Sequence, residues 1–528
     1  MKKILNISIV LLLILGVSGC KDYLDINDDP NAATSSTPQL VLPAVLNNMG
    51  GNFMTYFNYG NSMVGYSANA GGFSFVGSTV ITYNYNNSSN TGLFTAPYSD
   101  MRSLQYIITS TKDVKASVLF NAVARIMKSY YFQLLVDEYG NVPYSEALLG
   151  ADNVTPKYQD GQSIYQASVK EIDEAIALLK ANGSLSSVTP LGTSDIIFGG
   201  NTTKWIQFAN NIKLRMLTRI QKGPLAAFAA SAFTTFSSEG FLLEDVLIQP
   251  GYNSTSARQN PVWNSWHSSF TGTVAGSSYI PTTWMYTFYD GTKITDPTRG
   301  ALMYRTFTAA TKVRGQLGQD NNPAWGGAPN WYVGTGAGVA ATEAKGILKS
   351  RVMGLLFFSA AETHFLLAEA ALNGYTIGGS AVTSFENGIK ASYNYLNKFG
   401  ALTASSTAAE LNTYLATYKA ANATNYLVNY DLGASNDQKL EAIITQKYIA
   451  LNFVNGFEAW QEYKRTGFPR ISGTAATTTF ASSASVATTP DRLPVRSLYP
   501  TTEYNLNPNV PPAASINPFT SKIFWDIN

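Results

Sequence analysis

Residues 446–470, reading QKYIALNFVNGFEAWQEYKRTGFPR, allow few folds. Just before and within them, Leu440, Ile444, Tyr448 and Leu451 recur at helical spacing on one face. The chain then breaks at Asn455-Gly456 and resumes as a second helix carrying Trp460. That helix stops before Gly467 and Pro469, because glycine ends helices cheaply and proline cannot continue them. The pattern predicts a buried helix hairpin.

The N-terminus sets the compartment. Met1-Lys2-Lys3, an apolar run from Ile4 to Val17 and then Ser18-Gly19-Cys20 form the basic, apolar and small-residue regions of a secretory signal. The run falls short of the roughly 20 residues that span a bilayer. Cys20 is the single cysteine of the chain and follows Val-Ser-Gly, the pattern of a lipoprotein cleavage box. One thiol cannot close an intrachain disulfide. The plain alternative is an ordinary cleaved signal with an incidental cysteine; an acylated Cys20 would anchor the protein to a membrane surface without spanning it. The expected organisation is a signal peptide over residues 1–19, a lipidated tether over 20–36 and a single domain over 37–528. No later stretch approaches a transmembrane helix, and no linker divides the body, although its length exceeds the usual single core.

Charged residues make up 13% of the chain, against about 25% in ordinary soluble domains. Thirty-one tyrosines, with Asn, Ser, Thr and Gly, take their place. A net charge of +2 argues against a nucleic-acid partner. Such a surface suits a neutral, hydroxyl-rich ligand, as it suits other secreted proteins.

Along the chain, the acidic run Asp22 to Asn31 could be read as a calcium loop, but it lacks the glycine and terminal glutamate of an EF-hand, and Asp before Pro is ordinary turn chemistry. Pro38 to Met49 reads as a helix, and residues 50–95 as a long loop displaying aromatics such as Tyr83 and Tyr85 beside Asn86. Two ridges between Lys115 and Glu138, Val118 to Leu134 and Leu119 to Leu135 at spacing four, predict a wide apolar helix face. Asp137, Glu138 and Glu146 beyond it are expected in capping and turn roles. Helices are expected over Ser163–Ala181 and Thr203–Ile220, with Trp205 inward and Lys213, Arg215 and Arg219 mostly off the buried face. Residues 222–345 are the least regular and hold Trp263, Trp266, Trp284, Trp325 and Trp331. Helical patterning returns over Ser359–Asn373, Ala381–Asn397 and Glu410–Ala421, and residues 471–490 form a Ser/Thr/Ala loop.

The two histidines, His267 and His364, are far apart in sequence and no Cys/His cluster exists, so a metal site is not expected. No nucleophile elbow or phosphate-binding loop occurs. A glycosidase needs only two neighbouring carboxylates, and nothing in the spacing of the 34 acidic residues singles out a pair. The expectation is a binder and not an enzyme. Its candidate ligand residues, chosen by type and loop placement, are Tyr83, Tyr85, Asn86, Trp263, Trp266, Trp325, Trp331 and Tyr332. Trp and Tyr rings present flat, amphipathic faces to sugars or peptide side chains; the competing role is satellite core beneath long loops.

Four motifs stand in order: Val136-Asp137-Glu138-Tyr139-Gly140-Asn141-Val142-Pro143, Lys204-Trp205-Ile206-Gln207-Phe208-Ala209-Asn210, Asn455-Gly456-Phe457-Glu458-Ala459-Trp460 and Arg492-Leu493-Pro494-Val495-Arg496-Ser497-Leu498-Tyr499-Pro500. With the start Asp22-Tyr23-Leu24-Asp25-Ile26-Asn27, the chain resembles the SusD/RagB-like outer-membrane nutrient-binding lipoproteins of Bacteroidetes, closest to the SusD-like branch. The resemblance implies a mostly α fold of TPR-like helix pairs with large irregular loop insertions. It also implies a lipid-anchored protein on the extracellular face of the outer membrane, over a SusC-like TonB-dependent transporter. There it would act as a hinged lid that captures oligosaccharide, or peptide in RagB-like members, with no cofactor. The motifs are structural and carry no ligand residues across.

Overall fold

Polar side chains mark where the helices begin, because each replaces a hydrogen-bond partner that the first turn lacks. The computed structural model describes residues 36–69, 77–276, 278–304, 307, 317, 345–397 and 406–528. Its longer helices are α1 (Pro38–Met63), α2 (Gly92–Thr111), α3 (Val118–Tyr139), α4 (Gly161–Asn182), α5 (Thr202–Ile220), α6 (Ala360–Leu372), α7 (Ala381–Asn397), α8 (Ala408–Ala421), α9 (Asn436–Leu451) and α10 (Gly456–Thr466). Asp160, Asn201, Ser359, Ser435 and Asn455 accept backbone N–H groups at the starts of α4, α5, α6, α9 and α10. Thr407 and Glu410 close a reciprocal capping box on α8. Gly467 ends α10 in the left-handed conformation that glycine adopts without strain.

The fold is mostly α. Successive helices pack as neighbours, α2 on α3, α3 on α4, α4 on α5, α6 on α7 and α9 on α10, while α1 crosses α10 and α6 lies on α9. Among the described residues three short antiparallel pairs form: β1 (Ser67–Asn69) with β5 (Tyr279–Pro281), β2 (Val142–Pro143) with β3 (Tyr158–Gln159), and β4 (Val246–Ile248) with β6 (Leu355–Phe358). One contiguous apolar core runs from Leu42 on α1 to Trp525 near the C-terminus. Among the described residues no helix is long and apolar enough to cross a membrane.

Two expectations are corrected. The helix expected to end at Met49 continues to Met63, and a further short helix covers Gly77–Thr82, so residues 50–95 are not one loop. Gly50 and Gly60, which read as loop residues, are small enough to let Leu355 and α10 approach α1. Packing outweighs their poor helix propensity. Likewise Lys213, Arg215 and Arg219 of α5, expected off the buried face, are all buried. Arg215 and Arg219 pair with the buried Glu362 and Asp137, and Lys213 pairs with the half-exposed Asp173.

Candidate ligand-binding surface

Tyr83 follows the short helix Gly77–Thr82 with φ at 56°, a left-handed conformation disfavoured for a tyrosine. The ring is fully buried, and its hydroxyl accepts the Ser482 N–H at 3.1 Å, so tertiary contacts hold the turn. Tyr85 is half-buried beside it, its ring 6.4 Å from that of Tyr83 and its hydroxyl on the Met63 sulfur. Burial raises both phenol pKa values. Asn86 is exposed and organises its own turn, accepting from Ser88 N at 2.9 Å.

Trp263 and Trp266 lie on the short helix Pro261–Trp266, which is capped by Asn260, whose side chain accepts the Trp263 N–H. Both are buried. Trp263 stacks on His267 with centroids 3.7 Å apart. Trp266 meets Phe453 edge-on at 4.6 Å and donates its indole N–H to Asn58 Oδ1 at 3.1 Å. The rings of Tyr83, Trp263 and Trp266 therefore serve the protein's own packing in this structure. Trp325, Trp331 and Tyr332, like Cys20, lie outside the described residues.

The two groups of candidates flank the last turns of α1, since Asn58 holds Trp266 and Met63 receives Tyr85. Five residues of helix separate these anchors, about 7.5 Å along the axis. What reaches solvent there is a set that residue type alone did not select. Asn58 is exposed, Tyr279 at the start of β5 is half-buried against Trp266, and Phe270 is 46% exposed. Phe270 sits in a tight hairpin closed by the Ser268–Val274 bridge, beside the linked hydroxyls of Ser269, Thr271 and Thr273. An aromatic face bordered by hydroxyls can stack on a ring and exchange hydrogen bonds with it. The polar alternation around Phe270 and the turn glycine Gly272 were the available sequence signal.

The acidic residues nearest the motifs do other work. Glu146 accepts from Lys157 N at 3.1 Å and from Asn153, the turn role expected of it. Asp137 and Glu138, however, are completely buried and form part of an ion network, a correction to their expected capping role. Arg219 bridges Asp137 to Glu458 (2.5 Å) and Glu462 (3.1 Å). Lys447 also joins Glu458 and Glu462, Lys464 reaches Glu138 at 3.4 Å, and Arg465 grips Glu369 bidentately at 2.6 and 2.7 Å. Burial pushes the carboxyl pKa of Asp137 upward, whereas Glu462, despite its burial, is held well below the usual range by Arg465, Lys447 and Arg219. These pairs bind α3, α5, α6, α9 and α10 into one unit. Their oxygens are committed to internal cations, which suits structure better than acid–base chemistry.

The comparisons agree with this architecture. A family model, SusD-like_2, described as starch-binding and associating with the outer membrane, matches residues 30–500. A solved chitin-binding protein is 24% identical, with a TM-score of 0.68 over 93% of this chain and 100% of its own. A SusD homolog from Bacteroides uniformis is 23% identical, with a TM-score of 0.67 over 92% and 99%. A chitin-binding SusD homolog from Flavobacterium johnsoniae is 21% identical, with a TM-score of 0.65 over 91% and 99%. At these identities the structures share the fold. No curated protein matches the chain.

Proposed function

This chain belongs to the SusD-like family, and on that premise we propose that it is a carbohydrate-binding protein of the outer membrane. The observation that carries the reading is the family match over residues 30–500, under a description of starch binding and outer-membrane association. Chitin-binding proteins among the structures of the same fold are consistent with it. So is a low-charge chain that exposes Phe270 and Asn58 and leaves Tyr279 half-buried.

In the fuller form of the proposal, residues 1–19 are removed, Cys20 is acylated, residues 20–36 form a tether and residues 37–528 are one domain on the extracellular face. The protein captures oligosaccharide by stacking and amide hydrogen bonds, performs no chemistry on it, and passes it as a hinged lid to a SusC-like TonB-dependent transporter. Tyr85 and Asn86 are further ligand contacts, and Trp325, Trp331 and Tyr332 are ligand contacts by residue type alone. Tyr83, Trp263 and Trp266 serve as buried support.

The test is titration of the purified mature protein with gluco- and chito-oligosaccharides and, separately, with peptide mixtures, following tryptophan fluorescence. Saturable binding of one glycan class without new reducing ends is the expected result. New reducing ends would make the protein a hydrolase. A response to peptides alone would move it to the peptide-capturing, RagB-like role.

A further inference from the structure

A cleft of about 260 Å³ opens between α10, the segment 489–495 and the C-terminal residues 522–528. The cavities around Arg299, Met353 and Tyr130 offer only about 10 to 20 Å³, room for little more than one water. Trp460 and Tyr463, one turn apart on α10, line the deep side with ring planes 12° from parallel and centroids 6.0 Å apart. Both are buried, whereas Pro490 and Lys522 at the rim are exposed. The cleft thus runs from an exposed rim to a buried aromatic lining.

Its polar groups are balanced in sign. Asp491 accepts the Tyr463 hydroxyl at 3.2 Å, Asp526 faces Lys522 at 3.6 Å, and Lys464 is drawn to Glu138. Among the lining side chains, Lys464 and Lys522 balance Asp491 and Asp526. Trp460 is 1% exposed, yet its indole N–H has no acceptor among the described residues. A buried donor left unpaired costs about 1–3 kcal/mol, so an incoming oxygen would relieve it. Carboxylate acceptors, an indole donor, parallel rings and no net charge together match a neutral ring bearing several hydroxyls.

We propose that this cleft is a second ligand site, sized for one neutral pyranose unit and built from none of the residues of the Phe270 surface. The choice of a sugar over another neutral polyol rests on the carbohydrate reading above; the cleft itself does not. The Ser482–Asp491 segment connects the two regions, since Ser482 N binds Tyr83 and Asp491 forms part of the cleft wall.

The test uses the full-length protein in detergent with D-glucose and N-acetyl-D-glucosamine as probes, measured by calorimetry and hydroxyl-radical footprinting. At least one monosaccharide should bind and protect the exposed rim residues Pro490 and Lys522 from oxidation. Val495→Trp, which fills the cleft while its backbone still donates to Pro518 O, should weaken that binding by about 10-fold or more. Lys522→Ala, at the rim, should weaken it by about 3-fold and serves as the reading if Val495→Trp melts early. Phe270→Ala should leave the protection of the cleft rim unchanged, whatever it does to sugar held at the hairpin. Absence of binding by both sugars, or binding that both cleft variants retain, overturns the proposal. If Phe270→Ala removes that protection, the sugar occupies the hairpin surface and the cleft is not a site. If oligosaccharides ignore Phe270→Ala while the cleft variants abolish monosaccharide binding, the hairpin surface fails and the cleft stands.

Discussion

Gly60 on α1 and Gly456 at the start of α10 meet backbone to backbone. A Cβ on Gly60 would fall 2.0 Å from the Phe457 nitrogen, and one on Gly456 would fall 2.4 Å from the Asn61 nitrogen. This crossing fixes the end of α1, and with it Asn58 and Met63, against the hairpin of α9 and α10. The position of the candidate surface thus depends on two hydrogens standing where side chains would be.

Alanine at Gly60 or Gly456 should therefore destabilise the protein by more than about 2 kcal/mol, because the clash is with backbone that cannot rotate away. Gly51 is the control: it lies in α1 with no described atom within 4 Å of its Cβ position. Gly51→Ala should stabilise by about 0.5–1 kcal/mol through helix propensity. Denaturant melts of the three variants decide the matter.

Arg219→Met removes the cation shared by Asp137, Glu458 and Glu462 and leaves their charges buried. The expected loss is about 3–5 kcal/mol. Arg125→Met breaks more exposed contacts with Glu171 and Glu174 and should cost less than about 1 kcal/mol. Equal losses would contradict the assignment of the stability to the buried network.

His364 on α6 is largely buried, and desolvation, with a smaller contribution from Lys390, lowers its pKa to about 4. Between pH 6.5 and 4 the unfolded chain takes up a proton that the folded chain refuses, so this residue makes stability fall as pH falls through that window. The contribution is about 1–3 kcal/mol. His364→Gln should flatten the melting temperature over that range, and an unchanged slope would refute the burial argument.

Lys293 places its ammonium group over the Trp284 ring, and desolvation lowers its pKa to about 7. Between pH 7 and the unfolded value near 10.5 the folded chain holds this amine neutral while the unfolded chain protonates it; stability from this residue is therefore lost as pH falls toward 7. At about pH 7.5, just above that pKa, Lys293 should be acylated ahead of the exposed Lys170 in a competition followed by peptide mass mapping.

Trp266→Ala should cost about 3–5 kcal/mol, since it empties a packed site and leaves Asn58 without its donor. Phe270→Ala, at an exposed tip, should change stability by less than about 0.5 kcal/mol while weakening glycan binding. Thermal melts run beside the ligand titration separate support from contact.

Much of the helical frame was legible. The expected ends of α7 coincide with those observed, and the break at Asn455-Gly456 and the stop at Gly467 are where local chemistry places them. The second half of α1 was not, because Gly50, Gly51 and Gly60 signal loop to any reading of local propensity, and Gly50 and Gly60 become useful only when another element presses on them. The ligand residues were the least legible. Tyr83, Trp263 and Trp266 have the composition of a binding surface, but whether a ring faces solvent or core depends on what packs above it.

The sequence by itself determined the helical character of this protein and its family motifs, since apolar periodicity, caps and stops act over a few neighbouring residues. Only the tertiary structure decided that Arg215, Arg219 and Lys447 lie inside, and that Tyr279 and Asn58 meet at Trp266 while the Phe270 ring stays exposed. Burying a charge is tolerable only beside partners such as Glu362 and Glu458, which come from remote helices, and no local pattern encodes that proximity.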